Sequence, residues 1–149
     1  MASEFRARRR IEFYETDMAG IVHFSNYFRF MESTEHAFFR SLDLALHADS
    51  EGRMSGWARV EARCEYAVPL RYMDEVEIHL AVSAKSASSL AYDFAFRRVD
   101  PDGRVAEKVL AHGALTVVYV ERSPGGAMRA ARMPSEVAGA IEIATAQIR

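Results

Sequence analysis

Asp17, Gly20, His23 and Ser25 lie close together in the stretch 14–32, YETDMAGIVHFSNYFRFME. From Asn26 onward, Tyr27, Phe30, Met31, Thr34 and Phe38 recur three or four residues apart, which predicts a helix running to Arg40 or Ser41. Ser25 is of a type that caps helix starts, because its oxygen accepts an unpaired N–H of the first turn. A carboxylate just ahead of such a start sits beside free backbone donors and the positive end of the helix dipole. That combination suits acyl transfer: the carboxylate works on one face of a carbonyl while N–H groups hold its oxygen. A local alternative also exists, since Asp is favoured in turns and at helix starts for backbone reasons alone.

The elements that must position these residues follow from periodicity. Phe5, Ala7, Ile11 and Phe13 alternate with polar neighbours up to Tyr14 and predict a first strand. Arg9 interrupts its apolar set. The run Arg8–Arg10 reads as a solvated or guarded strand edge, or as a phosphate contact. The helix, rich in phenylalanine, reads as apolar on nearly all sides and hence buried, with Glu32, Glu35 and His36 on a polar flank and Glu32 four residues from His36. Residues 42–56 read as a loop with a turn near Leu44–His47. Then Val60, Ala62, Cys64 and Tyr66 alternate with Arg59, Glu61, Arg63 and Glu65 on a strand that follows Trp57 and ends at Pro69. Further strands are predicted at Val76–Val82, Leu90–Phe96 and Arg104–Val120, the last two joined by the turn Asp100-Pro101-Asp102-Gly103. Met133-Pro134-Ser135 introduces a last helix with Val137, Ile141, Ala144 and Ile148 on one side, fraying from Thr145. Hairpin-linked strands after one helix predict an α+β fold in a single domain over residues 1–149.

Asp17, Ala19, Gly20, Ile21, Val22, Asn26 and Tyr27, then Phe30 and Glu32, resemble the signature of the 4-hydroxybenzoyl-CoA thioesterase family. The succession of strands behind that signature is similar as well. The resemblance implies the hotdog fold: a curved antiparallel five-stranded sheet wrapped around a long central helix, here with a short C-terminal helix. It implies hydrolysis of an acyl-CoA thioester, with Asp17 as nucleophile or as general base, and no cofactor. The oxyanion donors would be backbone N–H groups among His23, Phe24 and Ser25. Gly20 would bring the loop close to the thioester, and Asn26 and Tyr27 would anchor it. His23 would line the acyl pocket, hydrogen-bond the loop, or polarise a carbonyl. Phe24, Phe28 and Trp57 would line an aromatic or a short aliphatic acyl pocket. Coenzyme A would meet Lys85 and Ser86 in one turn and Arg129 and Arg132 after the last long strand. The family also implies a homo-oligomer, two protomers joined sheet edge to sheet edge around shared active sites, with dimers pairing into tetramers.

Composition narrows the rest. With 19 basic and 21 acidic residues the net charge is −2, giving no footprint for nucleic acid. The single cysteine, Cys64, precludes an internal disulfide framework and fits a reducing cytoplasm. No apolar run approaches the ~20 residues of a membrane span. His36, His47, His79 and His112 show no metal-site spacing, and there is no Gly-x-Ser-x-Gly elbow. Two rivals stand beside hydrolysis. A dehydratase or hydratase on the same fold would place His36 and Glu32 at the thioester. A non-catalytic module would bind acyl-CoA or an acyl carrier protein without turnover.

Overall fold

The computed structural model describes residues 1–50 and 52–148. Its elements are β1 (Glu4–Arg10), α1 (Asn26–Ser41), β2 (Ala48–Ser50), β3 (Arg53–Tyr66), β4 (Glu75–Lys85), β5 (Ser89–Val99), β6 (Val105–Arg122), β7 (Arg129–Ala130) and α2 (Ser135–Ala140). One antiparallel sheet runs β1-β4-β5-β6-β3-β2, with β7 also pairing β6. This is the hotdog fold. The five long strands β1 and β3–β6 are those the periodicity predicts. The short β2 and β7 are additions, formed where the sequence pattern shows only turn residues.

α1 lies in the hollow of the sheet. Tyr27, Phe30, Met31, Thr34, Glu35, Phe38 and Phe39 are buried, while Arg29, Glu32, Ser33, His36 and Arg40 are exposed. The expectation of an all-round apolar helix is therefore corrected: spacings of three and one define a single inward stripe, and the other side is open. Glu35 belongs to that stripe, not to a polar flank. Gly113 of β6 lets the helix approach closely, since a Cβ there would stand 2.2 Å from the Met31 sulfur.

Three other expectations change. β1 ends at Arg10, and Phe13–Glu15 form a 3₁₀ turn that lifts Phe13 and Tyr14 into solvent. β3 begins at Arg53 and carries a bulge between Arg59 and Glu61. Because of it, Trp57 and Arg59 face the helix together with Ala62, Cys64 and Tyr66, opposite inward-facing Tyr119, Val117, Leu115, Gly113 and Ala111 of β6. Val60, read as inward, is the extra residue and is 61% exposed. Finally, α2 stops at Ala140. The chain then runs extended along the sheet, with the N–H of Ala144 on the Val82 carbonyl at 2.8 Å. Ile148 is buried against Ala81 and Ala95, so the predicted fraying from Thr145 is not seen there.

Gly113→Ala must displace the Met31 side chain, which has no exposed surface to move into. The expected cost is ~1–3 kcal/mol, read as a lower midpoint in urea at unchanged slope.

Candidate active site

Residues 16–22 form a tight loop ahead of α1. The Asp17 N–H donates to the Ile21 carbonyl at 2.9 Å, and the Gly20 N–H donates to the Asp17 carbonyl at 3.0 Å. Gly20 has φ +79°, a conformation that glycine alone adopts freely. The Ala19 N–H donates to Asp17 Oδ1 at 2.8 Å, which fixes the carboxylate as an Asx turn does. The second oxygen, Oδ2, has no partner among the described residues, and Asp17 is exposed. The local role and a chemical role therefore fall on different oxygens of one side chain.

Glu15 anchors this loop. Its buried carboxylate accepts from Arg9 at 2.6 Å and from the Glu12 N–H at 2.8 Å. Its backbone carbonyl accepts from the His23 N–H at 2.9 Å and from Asn26 Nδ2 at 2.8 Å. The Arg9 guanidinium also lies over the Phe30 ring, 4.1 Å from its centroid. The Arg8–Arg10 run is thus taken up structurally. Arg8 reaches the Gly103 carbonyl and Glu77, Arg10 reaches the Met73 carbonyl and Glu75, and Arg9 holds Glu15.

At the helix start Ser25 is already helical (φ −68°, ψ −23°) and makes no side-chain cap, contrary to expectation. Its Oγ lies 2.7 Å from His23 Nδ1, and its N–H points to the same nitrogen at 3.3 Å. Two donors converging on Nδ1 leave the neutral ring's proton on Nε2. Of the three backbone donors considered, His23 N–H is used by Glu15 and Ser25 N–H by His23, while Phe24 N–H has no partner among the described residues. Tyr66, at the end of β3, donates its hydroxyl to the Phe24 carbonyl at 3.0 Å. Tyr27 is buried beneath, edge-on to Tyr66 and Phe96, with its hydroxyl pKa raised chiefly by burial. Phe13, Tyr14, Met18, Phe24, Tyr72 and Met73 expose large apolar surface around the loop.

The other candidates lie elsewhere. Trp57 packs on Phe39 and Tyr119 at the opposite end of β3. There it lines a groove of about 440 Å³ with His36, Leu46, Met54, Arg59 and Met128. Glu32, at its edge, pairs with Arg59 at 3.5 Å and not with His36. Lys85 does not present a free charge: its Nζ donates to the carbonyls of Ala138 and Ile141 at 2.6 and 2.7 Å, closing the end of α2. Ser86 Oγ accepts the N–H of Ser89 at 3.0 Å and stabilises its own turn. Arg129 and Arg132 are exposed and make no ion pair among the described residues. Sequence reasoning missed Glu15, Tyr66 and Arg59. Arg9 was the available signal, because a charge on an inward strand position requires a buried partner.

The sequence profile of the Thioesterase-like superfamily matches residues 11–141. The chain belongs to that family. It is 41% identical over 92 residues to an esterase candidate of Aquifex aeolicus, an alignment covering 60% of this chain and 70% of that one. A hypothetical protein of Aquifex aeolicus superposes with a TM-score of 0.76 at 29% identity, covering 93% of this chain and 99% of the other. The 4-hydroxybenzoyl-CoA thioesterase from Pseudomonas sp. strain CBS-3 superposes with a TM-score of 0.77 at 20% identity, again covering 93% and 99%. This superfamily member is a thioester hydrolase. Among the described residues no helix is long and apolar enough to cross a membrane.

Arg9→Met leaves the Glu15 carboxylate buried with one partner fewer. A loss of ~3–5 kcal/mol is expected. Thermal unfolding should show it clearly, whereas Arg10→Met, which removes a more exposed pair with Glu75, should change stability by under ~1 kcal/mol.

Proposed function

We propose that the protein hydrolyses aromatic acyl-CoA thioesters, with Asp17 as the catalytic carboxylate and the Phe24 N–H as an oxyanion donor. The observation that carries this reading is the pair of uncommitted groups at the loop, Asp17 Oδ2 and the Phe24 N–H. The thioester carbonyl oxygen takes the Phe24 N–H, and Asp17 either attacks the acyl carbon, expelling coenzyme A as thiolate and leaving a mixed anhydride that water opens to the free acid, or draws a proton from the attacking water. Gly20, His23, Ser25, Asn26 and Tyr27 shape and hold this loop.

The acyl group meets aromatic surface in the Trp57 groove of a second protomer. β2 pairs only residues 53–55 of β3, so the outer edge of 56–66 is uncovered, centred on Glu61. Exposed strand edges pair with other strands. Antiparallel pairing of two copies about that centre brings the Trp57 end of one β3 beside the Tyr66 end of the other, and so beside its Asp17 loop. Arg129, next in sequence to the groove residue Met128, and Arg132 take the phosphates of coenzyme A. Support for an aromatic acyl group comes from the groove's lining and from the 4-hydroxybenzoyl-CoA thioesterase that shares the fold.

The test is thiol release from a panel of aliphatic and aromatic acyl-CoAs. Asp17→Asn should lower kcat by at least ~100-fold and leave KM within a few-fold; equal rates in the two proteins would sink the assignment. Co-expressed Asp17→Asn and Trp57→Ala chains should form mixed dimers that recover turnover lacking in either parent. Absence of recovery would mean that each site is built within one chain.

A further inference from the structure

β3 contains a conflict that the fold resolves in one direction. From Val60 onward the apolar residues are even-numbered: Val60, Ala62, Cys64 and Tyr66. Continuing that phase backwards would turn Ala58 and Val60 inward and send Trp57 and Arg59 out. A one-residue slip exchanges the two faces of a strand in this way. The observed strand instead inserts a bulge, so that Arg59 opposite Val117 is followed by Glu61 opposite Thr116. Val60, a β-branched apolar residue, is left 61% exposed at the middle of the uncovered edge. Burying Val60 would be favourable, so something must oppose the slip.

Trp57, packed on Phe39 and Tyr119, supplies part of that opposition, and the directional part comes from the helix. Glu35 is 0% exposed, at the centre of the inward stripe of α1. Arg59 reaches it directly, the closest ion pair in the molecule among the described residues. Glu35 Oε2 and the Tyr92 hydroxyl, both buried, have no hydrogen-bond partner among the described residues. Burial raises the pKa of Glu35, and the Arg59 charge opposes the rise. If the strand slipped, Arg59 would point outward and a buried carboxylate would lose its counter-charge, which costs more than burying one valine side chain gains. The larger penalty decides the phase.

We propose that the Glu35–Arg59 ion pair is a phase lock on β3, a positioning device that maintains the Val60 bulge and thereby keeps Trp57 in the substrate groove and Val60 on the pairing edge. The lock depends on the thioesterase reading only for its kinetic consequence; its structural consequence is read separately. Trp57 is the only tryptophan of the chain, so its emission reports the phase directly.

Glu35→Leu leaves Arg59 facing an apolar helix, which favours the slipped strand. Its Trp57 emission should move to the red of the wild type, and KM should rise at least tenfold while thiol release from saturating substrate falls less. Two compensated variants should restore wild-type emission. Glu35→Leu/Arg59→Met makes the inward position apolar and removes the drive to slip. Glu35→Leu with Val60 deleted removes the extra residue, so Arg59 and Glu61 pair consecutively with Val117 and Thr116 and the phase no longer needs a lock. Wild-type emission and KM in Glu35→Leu would overturn the proposal, as would a red shift that persists in both compensated variants. If Glu35→Leu is insoluble, the compensated pair carries the test: both must fold with wild-type emission, and failure of both overturns it. An inactive Asp17→Asn with these emission results intact would support both readings, whereas an active one would remove the mechanism and leave the lock standing.

Discussion

The hydrogen bonds around Glu15 join the three parts on which the site depends. The carboxylate ties the residue to β1 through Arg9, and the carbonyl ties it to the helix start through His23 and Asn26. Arg9 in turn rests on Phe30 inside the hollow of the sheet. Of residues 16–22 only Val22 is buried, so the loop has little packing of its own with which to hold itself. Its order is borrowed from a buried charge, and a buried charge tolerates little displacement of its partner. This explains how an exposed Asp17 can keep one oxygen fixed and the other free.

The same logic recurs at the other end of β3. There Glu35 is buried in the helix, and its partner comes from an edge strand. In both places an arginine on an inward strand position satisfies a buried glutamate: Arg9 with Glu15, Arg59 with Glu35. α1 is therefore fastened to the sheet by charge at its middle, through Glu35 and Arg59, and held at its start through Glu15 and Arg9, with aromatic packing and the Gly113 approach between them. Apolar burial supplies the bulk of the cohesion, but it is non-directional. The two ion pairs add the direction that side-chain packing alone does not specify.

Much of this was legible beforehand. Long alternating runs give the five main strands, three-and-four spacing gives α1, and the residues of 14–32 give the family. What the sequence hid was set by contacts far along the chain. The phase of β3 changes at Val60 because of Glu35, which stands in another element. Ile141, Ala144 and Ile148 have helical spacing, yet they lie on an extended segment because the sheet's back offers Val82, Ala81 and Ala95 as partners. Lys85 looked free for phosphate because nothing local shows that α2 ends beside it. Ser25 has the composition of a cap, but His23 Nδ1 competes for its hydroxyl. At the site, residue types pointed to Asp17 and the helix start, while the unspent Phe24 N–H could only be found from hydrogen bonds.

That donor has a property which follows from its peptide group. Phe24 N–H shares a peptide plane with the His23 carbonyl, and that carbonyl accepts the N–H of Asn26 at 2.9 Å. Hydrogen bonds chained through peptide groups polarise one another. Electron density drawn toward the His23 oxygen leaves the Phe24 hydrogen more positive than that of an isolated amide. The helix thus extends its positive end two peptides beyond its own first residue, and a carbonyl oxygen arriving there meets the terminal link of a cooperative relay that runs back into the first turn of α1.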